Sequence, residues 1–366
     1  MSKRIPFLDL RISEPSKRKE LLDAIDVVFQ HGIFVIGPEV LQFEEKLASF
    51  IGRKYAIGVN SGTDALFLAL KSVGVGKGDE VVTTSLSWIA TANAIALTGA
   101  TPVFADIRDD LNIDPESVKR SITPKTKVIM PVHYTGKICR MDSLMRIADD
   151  HGLIIIEDAA QAFNATYKGR KAGSFGSIGC FSMNPMKVFG ASGEAGAIVT
   201  DRNDLYEKLI ALRYNGTINK EVCIEPSLNG RIDTIQAAIL LKKFDNVETV
   251  IQKRRNNANY YNERLQGIVG IPVETNDERD VYYTYTIRTD NRDNLKSYLE
   301  EKGIETKIQH PFLMPEQPAY KTNVKGQHQN AAKLVKKILC LPIHEKLNEE
   351  DLGYVVETIE SFFQVR

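Results

Sequence analysis

The chain has 366 residues, 43% of them hydrophobic and 26% charged, with 47 basic residues against 47 acidic ones. That length exceeds the usual single domain and favours two domains or one large α/β domain with an appendage, while formal neutrality removes any whole-chain electrostatic case for nucleic acid or an anionic membrane. Cys139, Cys180, Cys223 and Cys340 lie far apart without a CxxC pair, which argues against a disulfide framework and gives little for a metal site. There is no apolar run of about 18 residues, and MSKRIPFLDLRISEP has no apolar core of signal-peptide length. A cytoplasmic protein is expected.

Residues 1–35 read as an N-terminal arm, with a short apolar IPFLDL and then LLDAIDVVFQ at helical spacing. Pro38 opens a helix whose Val40, Phe43, Leu47 and Phe50 share one face. YAIGVNSGTDALFLALKSVGV reads as strand, turn and helix, the helix opened by Ser61-Gly62-Thr63. Backbone N–H groups there suit a phosphate, although an ordinary Ser/Thr cap has the same letters. In EVVTTSLSWIATANAIALTGATPVFADI, Trp88 stands at a strand-to-helix turn, where it can stack on a cofactor ring or fill the core. KVIMPVHYTG reads as a strand and SLMRIADDHG as an amphipathic helix.

LIIIEDAAQAF is an apolar, β-branched run that ends in Glu157-Asp158. It reads as a buried parallel strand with a carboxylate at its C-terminal end, where open α/β sheets bind ligands. A helix N-cap is the plainer reading of Asp158. Gly173 to Thr200 then carries Lys187 among small, apolar and turn-forming residues, with Pro185 before it and three glycines after it. Such surroundings suit a nucleophilic, Schiff-base amine; a surface lysine on a Gly-rich loop is the alternative. A lysine for an aldehyde and an acid for a pyridine nitrogen are what pyridoxal phosphate chemistry requires, and Lys187 and Asp158 fit those needs.

LNGRIDTIQAAILLKKFDNVETVIQKRRNNANYYNERL reads as one long helical region, DVYYTYTIRT as a strand, NLKSYLEEKGI as a helix closed by Gly303, and LNEEDLGYVVETIESFF as a last helix. The expected organisation is a large α/β domain over residues 1–250, including the arm, and a smaller α+β domain over 251–366. His31, His133, His151, His310, His328 and His344 do not cluster at ligand spacing, so no metal site is expected. Only His310, in a Pro-rich loop, is kept as a substrate contact.

Taken in order, IPFLDL, FVIGPEVLQFEEKLA, VNSGTDALFLAL, GDEVVTTSLSWIATANAI, GATPVFADI, IIEDAAQA, GSFGSIGCFS-x-x-P-x-K, GEAGAIVT, NGRID-x-x-QAA, QPAY and LPIHEKL resemble the sugar aminotransferases of the DegT/DnrJ/EryC1/StrS group across nearly the whole chain. The resemblance implies fold-type I: an α/β domain with a mainly parallel, seven-stranded sheet between helices, plus a smaller α+β domain. It implies that pyridoxal 5'-phosphate is held by Gly62, Thr63 and Ser182 at its phosphate and covered by Trp88. Gln161 would face the ring hydroxyl, Asp158 the pyridinium nitrogen, and Lys187 would be the Schiff-base lysine and proton shuttle. Asn229 would reach the phosphate held by a second subunit, making a homodimer with shared sites; Arg231, His310 and Asn184 fall on the substrate side. L-Glutamate would be the donor and a keto sugar the acceptor.

The chain also departs from the group's pattern. Asn184 stands where His or Tyr is common, Phe163-Asn164 follows AQA in place of His-Gly, and Pro315 replaces a histidine ahead of QPAY. These positions border the substrate side and open the reading to a free keto sugar acid, such as an oxidised octulosonate, beside nucleotide-linked sugars. A dehydratase of the same group would carry histidine in place of Lys187. A non-catalytic regulator on the same fold is the rival from another class. Neither a dinucleotide GxGxxG nor a Walker motif is present.

Overall fold

The structure, a computed structural model, describes residues 3–321 and 328–364. Helices α1 (Pro15–His31) and α2 (Pro38–Ile51) both begin on proline, whose fixed φ suits a first turn, and end on left-handed Gly32 and Gly52 (φ 70° and 80°). Strands and helices then alternate: β1 (Tyr55–Val59), α3 (Gly62–Ser72), β2 (Glu80–Thr84), α4 (Ala90–Leu97), β3 (Thr101–Ala105), α5 (Pro115–Ser121), β4 (Thr126–Met130), α6 (Met141–His151) and β5 (Ile154–Asp158). A small hairpin, β6 (Thr166–Tyr167) and β7 (Arg170–Lys171), leads to β8 (Ile178–Ser182) and β9 (Gly196–Thr200).

The seven longer strands form one sheet in the order β1-β9-β8-β5-β4-β2-β3. Six of them run the same way, and β9 is antiparallel to both neighbours. Alternation along each strand sends Ala56, Val82, Ile129 and Ile155 to one face, against Phe43, Val118 and Leu144 of α2, α5 and α6. Ile57, Val81, Val128 and Ile156 point to the other face, against Leu68 and Ile95 of α3 and α4. Cover on both faces is why these strands read as unbroken apolar runs.

After α7 (Asn203–Arg213) come a second hairpin, β10 (Thr217–Ile218) and β11 (Val222–Cys223), then α8 (Thr234–Phe244) and α9 (Val247–Leu265). The stretch from Leu228 that reads as one helical region is therefore three pieces. Asn229-Gly230 are weak helix formers, and residues 228–233 run extended, bridging Asn229 to Tyr214 and Arg231 to Val59. Asp245 and Asn246 then separate the two helices.

Next, β12 (Glu278–Arg279) pairs with β6 of the first hairpin, and the C-terminal body holds β13 (Tyr285–Arg288), α10 (Arg292–Glu301), α11 (Gln329–Leu334), β14 (Ile338–Leu341) and α12 (Glu349–Gln364). Only the end of DVYYTYTIRT is a strand; it pairs antiparallel with β14. Tyr261, Tyr285, Leu295, Leu339 and Ile359 build this body's core, and Ile5 joins them. The arm thus divides, because Ile5 bridges Ile304 while Ala24 and Val28 of α1 pack on Ala238 of α8. Helix α9 serves both bodies, with Val247 and Ile251 in the sheet's core and Tyr261 and Leu265 in the C-terminal one. Among the described residues, no helix is long and apolar enough to cross a membrane.

A buried charge cluster joins the two bodies. Lys137, beyond β4, pairs with Glu278 (2.5 Å) and Asp280 (3.6 Å), while Arg255 binds Glu274 (2.7 Å) and the Asp280 carbonyl (2.8 Å). Burial, with the charges of Glu274 and Glu278 adding to it against Lys137, pushes the Asp280 carboxyl up to about 7. A carboxyl raised above its unfolded value stabilises the fold at low pH and loses that contribution as pH rises through the folded value. Between about pH 5 and pH 8 the melting temperature of the parent chain is expected to fall relative to that of Asp280→Asn. Parallel melting curves across that window would contradict this assignment.

Candidate active site

Strand β5 ends in two adjacent carboxylates that alternation sends to opposite faces. Glu157 is fully buried. It accepts from His133 Nε2 (2.9 Å) and from the backbone N–H groups of Gly173 (2.8 Å), Phe175 (2.7 Å) and Gly176 (2.7 Å). Burial alone would raise its carboxyl, but the His133 hydrogen bond and the backbone N–H donors outweigh that and hold it below the ordinary range. The Cys139 N–H donates to His133 Nδ1 (3.3 Å), which leaves Nε2 as the protonated nitrogen that faces Glu157.

Asp158 is buried on the other side. Its Oδ2 accepts from Thr91 Oγ1 (2.9 Å) and its Oδ1 from the Ala160 N–H (3.2 Å). Burial raises this carboxyl above its ordinary value, with the Thr91 hydroxyl, the Ala160 N–H and the Lys187 charge acting against the rise. The cap-like bond to Ala160 exists, but no regular helix follows Asp158.

Lys187 lies in the loop between β8 and β9. That loop is closed by bonds from the Met183 N–H to the Ala195 carbonyl (2.7 Å), from Ala191 to Met183 (2.8 Å) and from Lys187 to Asn184 (2.9 Å). A methyl group at Gly190 would stand 2.5 Å from the Asn184 carbonyl oxygen, so the tight turn requires glycine. The half-buried Lys187 puts its ammonium 4.7 Å from the ring centre of Tyr283. Both ends of the Asn184 side chain are engaged inside this loop, by the Met186 N–H (3.0 Å) and by Glu194 (2.6 Å).

Helix α3 starts beside the end of β8. A methyl at Gly62 would meet Ser182 Cβ at 2.5 Å, and one at Gly196 would meet the Ser61 carbonyl at 2.4 Å. Ser61 caps the helix by accepting from the Asp64 N–H (3.1 Å), and Thr63 follows half-buried in the first turn. This is a cradle with glycine where backbone must come close. Asn229 and Arg231 lie on the extended segment alongside it, where Asn60 N–H donates to Gly230. Arg231 Nε donates to Asn229 Oδ1 (2.7 Å), its guanidinium stacks 4.3 Å over Tyr214, and Asn229 is exposed in the single chain.

Trp88 is 62% exposed, which removes the core reading. Its ring is 5.8 Å from that of His310, which is 5.7 Å from Tyr134. His310 has a left-handed backbone (φ 55°), and its buried Nε2 has no partner among the described residues. Burial first, then the charges of Lys307 and Lys187, lowers its pKa to about 4, so the imidazole is neutral at pH 7. Gln161 is buried and accepts from the Thr135 N–H through Oε1 (2.9 Å). Thr91, Thr135 and Tyr283 complete these contacts, and no motif in the sequence singled them out.

The model of the DegT/DnrJ/EryC1/StrS aminotransferase family matches residues 15–360. The chain belongs to that family. A "Pleiotropic regulatory protein" of Geobacillus stearothermophilus is 39% identical over 98% of this chain and 99% of its own. The dTDP-3-amino-3,4,6-trideoxy-alpha-D-glucose transaminase of Streptomyces venezuelae is 37% identical over 98% of this chain and 96% of its own. Among solved structures, S. venezuelae DesV in complex with a ketimine intermediate superposes with a TM-score of 0.95, at 37% identity, over 99% of both chains. This member of the DegT/DnrJ/EryC1/StrS family is a transaminase dependent on pyridoxal 5'-phosphate. Its own residues fit that cofactor: a glycine cradle at a helix N-terminus suits the phosphate, and a buried acid lies within electrostatic reach of a lone lysine.

Proposed function

We propose that the chain moves an amino group from L-glutamate to a keto sugar, in the cytoplasm, for an amino sugar of a cell-surface polysaccharide such as lipopolysaccharide. The observation that carries this reading is the buried Asp158 carboxylate at the end of β5, acted on by the Lys187 charge. Bound pyridoxal phosphate supplies the aldehyde and the electron sink. Gly62, Thr63 and Ser182 hold its phosphate, Trp88 covers its ring and Gln161 faces its hydroxyl. Asp158 keeps a proton on the ring nitrogen, and Lys187 Nζ carries a proton between substrate carbon and cofactor. Asn229, exposed in one chain, reaches the phosphate held by a second copy, so the working unit is a homodimer. Arg231 and the neutral His310 take substrate groups, and Asn184 acts on the substrate side by shaping the lysine loop.

A nucleotide-linked keto sugar is favoured by the name of the 37% identical S. venezuelae transaminase. Asn184 and Pro315 favour a second reading, a free keto sugar acid such as an oxidised octulosonate. The 39% identical regulatory protein keeps a regulatory role as the rival. With cofactor and L-glutamate, the visible absorption band is expected to bleach as 2-oxoglutarate appears, and dTDP-, UDP- and unlinked keto sugars are then compared for its return. If no amino donor bleaches the band, the transferase reading fails and the regulator gains.

A further inference from the structure

A cavity of about 270 Å³ lies between the sheet body and the C-terminal body. Tyr283 carries Lys187 on its ring, while its neighbours Tyr282 and Thr284 line this cavity, as does Thr135, whose N–H is held by Gln161. Four cationic side chains border it. Lys137 is answered by Glu278 and Asp280, and Arg108 by Asp110 (3.2 Å). Arg140 and Arg288 form no ion pair among the described residues. Among the described residues, Arg288 donates only to the carbonyls of Asp109 (2.6 Å) and Ile271 (3.5 Å), and Arg140 Nε is buried without a partner.

A buried donor left unpaired is costly and calls for an explanation. The backbone adds an independent sign. Leu111, Thr135 and Tyr282, all lining the cavity, hold left-handed φ values of 69°, 61° and 47°. Leucine, threonine and tyrosine resist that region, and such strain persists at ligand clamps and switch regions.

We propose that this cavity binds a small phosphate-bearing molecule, its oxyanion seated by the guanidinium groups of Arg140 and Arg288. Planar guanidinium forks match phosphate oxygens two at a time. Two forks offer donors for more oxygens than one carboxylate has. Such a ligand touches both bodies and therefore stabilises their docking.

The test is titration calorimetry of the cofactor-loaded protein with inorganic phosphate in a phosphate-free buffer. Loading fills the cradle at α3, so the measured heat comes from elsewhere. Arg140→Gln is expected to weaken binding by about tenfold or more, with Arg140→Lys between the two. Phosphate is expected to raise the melting temperature of the parent and not of Arg140→Gln, while both melt alike without it. Absence of binding up to about 10 mM phosphate, or equal binding by parent and Arg140→Gln, overturns the proposal. Arg288→Gln is the second variant: if it too binds like the parent, the cavity is not the site.

Discussion

Replacing Lys187 with alanine is expected to slow amino transfer by at least about 10³-fold, the scale of a lost general acid–base group at the reacting carbon. The fold should barely notice, because the described contact of the ammonium is the Tyr283 ring at 4.7 Å, worth about 0.5–1 kcal/mol at a half-exposed site. Lys187→Arg sharpens the test. Arginine keeps the positive charge over the ring and stays protonated, so it cannot carry a proton back and forth. If charge alone mattered, Lys187→Arg would recover most of the activity; if the amine is the carrier, both variants stay inactive. Single-turnover rates with glutamate, read beside melting temperatures, decide between these. A Lys187→Ala protein within about tenfold of the parent would remove Lys187 from the chemistry.

The sheet was legible because strands covered on both faces leave apolar β-branched runs such as LIIIED and KVIMP. Direction was not legible. GAIVT reads like its neighbours, yet β9 runs against them, since nothing in a fully buried run records which way its partners point. The extended start of the long helical stretch, Leu228–Asp233, was missed because extension there is imposed by bridges to Val59 and Tyr214, both outside the stretch. Ile5 offered no sign that it enters the C-terminal core. At the site, Lys187 and Asp158 stood out because each is a polar residue in apolar surroundings. Tyr283 and Thr91 did not, because only folding brings the first to the Lys187 loop and the second to Asp158. Asn184 stood out as an odd letter, but its bonds to Glu194 and Met186 show a side chain turned to its own loop.

Glu157 and Asp158, neighbours on one strand, are expected to fail in opposite ways when changed. In Glu157→Gln the amide oxygen can keep the Phe175 and Gly176 N–H groups. The amide nitrogen then faces the Gly173 N–H and the protonated Nε2 of His133, donor against donor. His133 has no easy escape, because its Nδ1 already accepts from Cys139. Each orphaned buried group costs roughly 1–3 kcal/mol, so a loss of several kcal/mol and a lower melting temperature are expected. In Asp158→Asn the amide oxygen can take the Ala160 N–H and the amide nitrogen can donate to Thr91 Oγ1, so both contacts survive. Burial already disfavours the charged carboxyl, so removing the charge should leave the uncharged, cofactor-free fold as stable or more so. What an amide cannot do is keep a proton on a ring nitrogen, and turnover should fall by roughly 10²–10³-fold, the scale of a lost preorganised charge. Melting temperature and turnover measured on both variants separate the roles. If Asp158→Asn destabilises as much as Glu157→Gln while turning over at the parent's rate, Asp158 is a structural carboxylate and the acid of this site lies elsewhere.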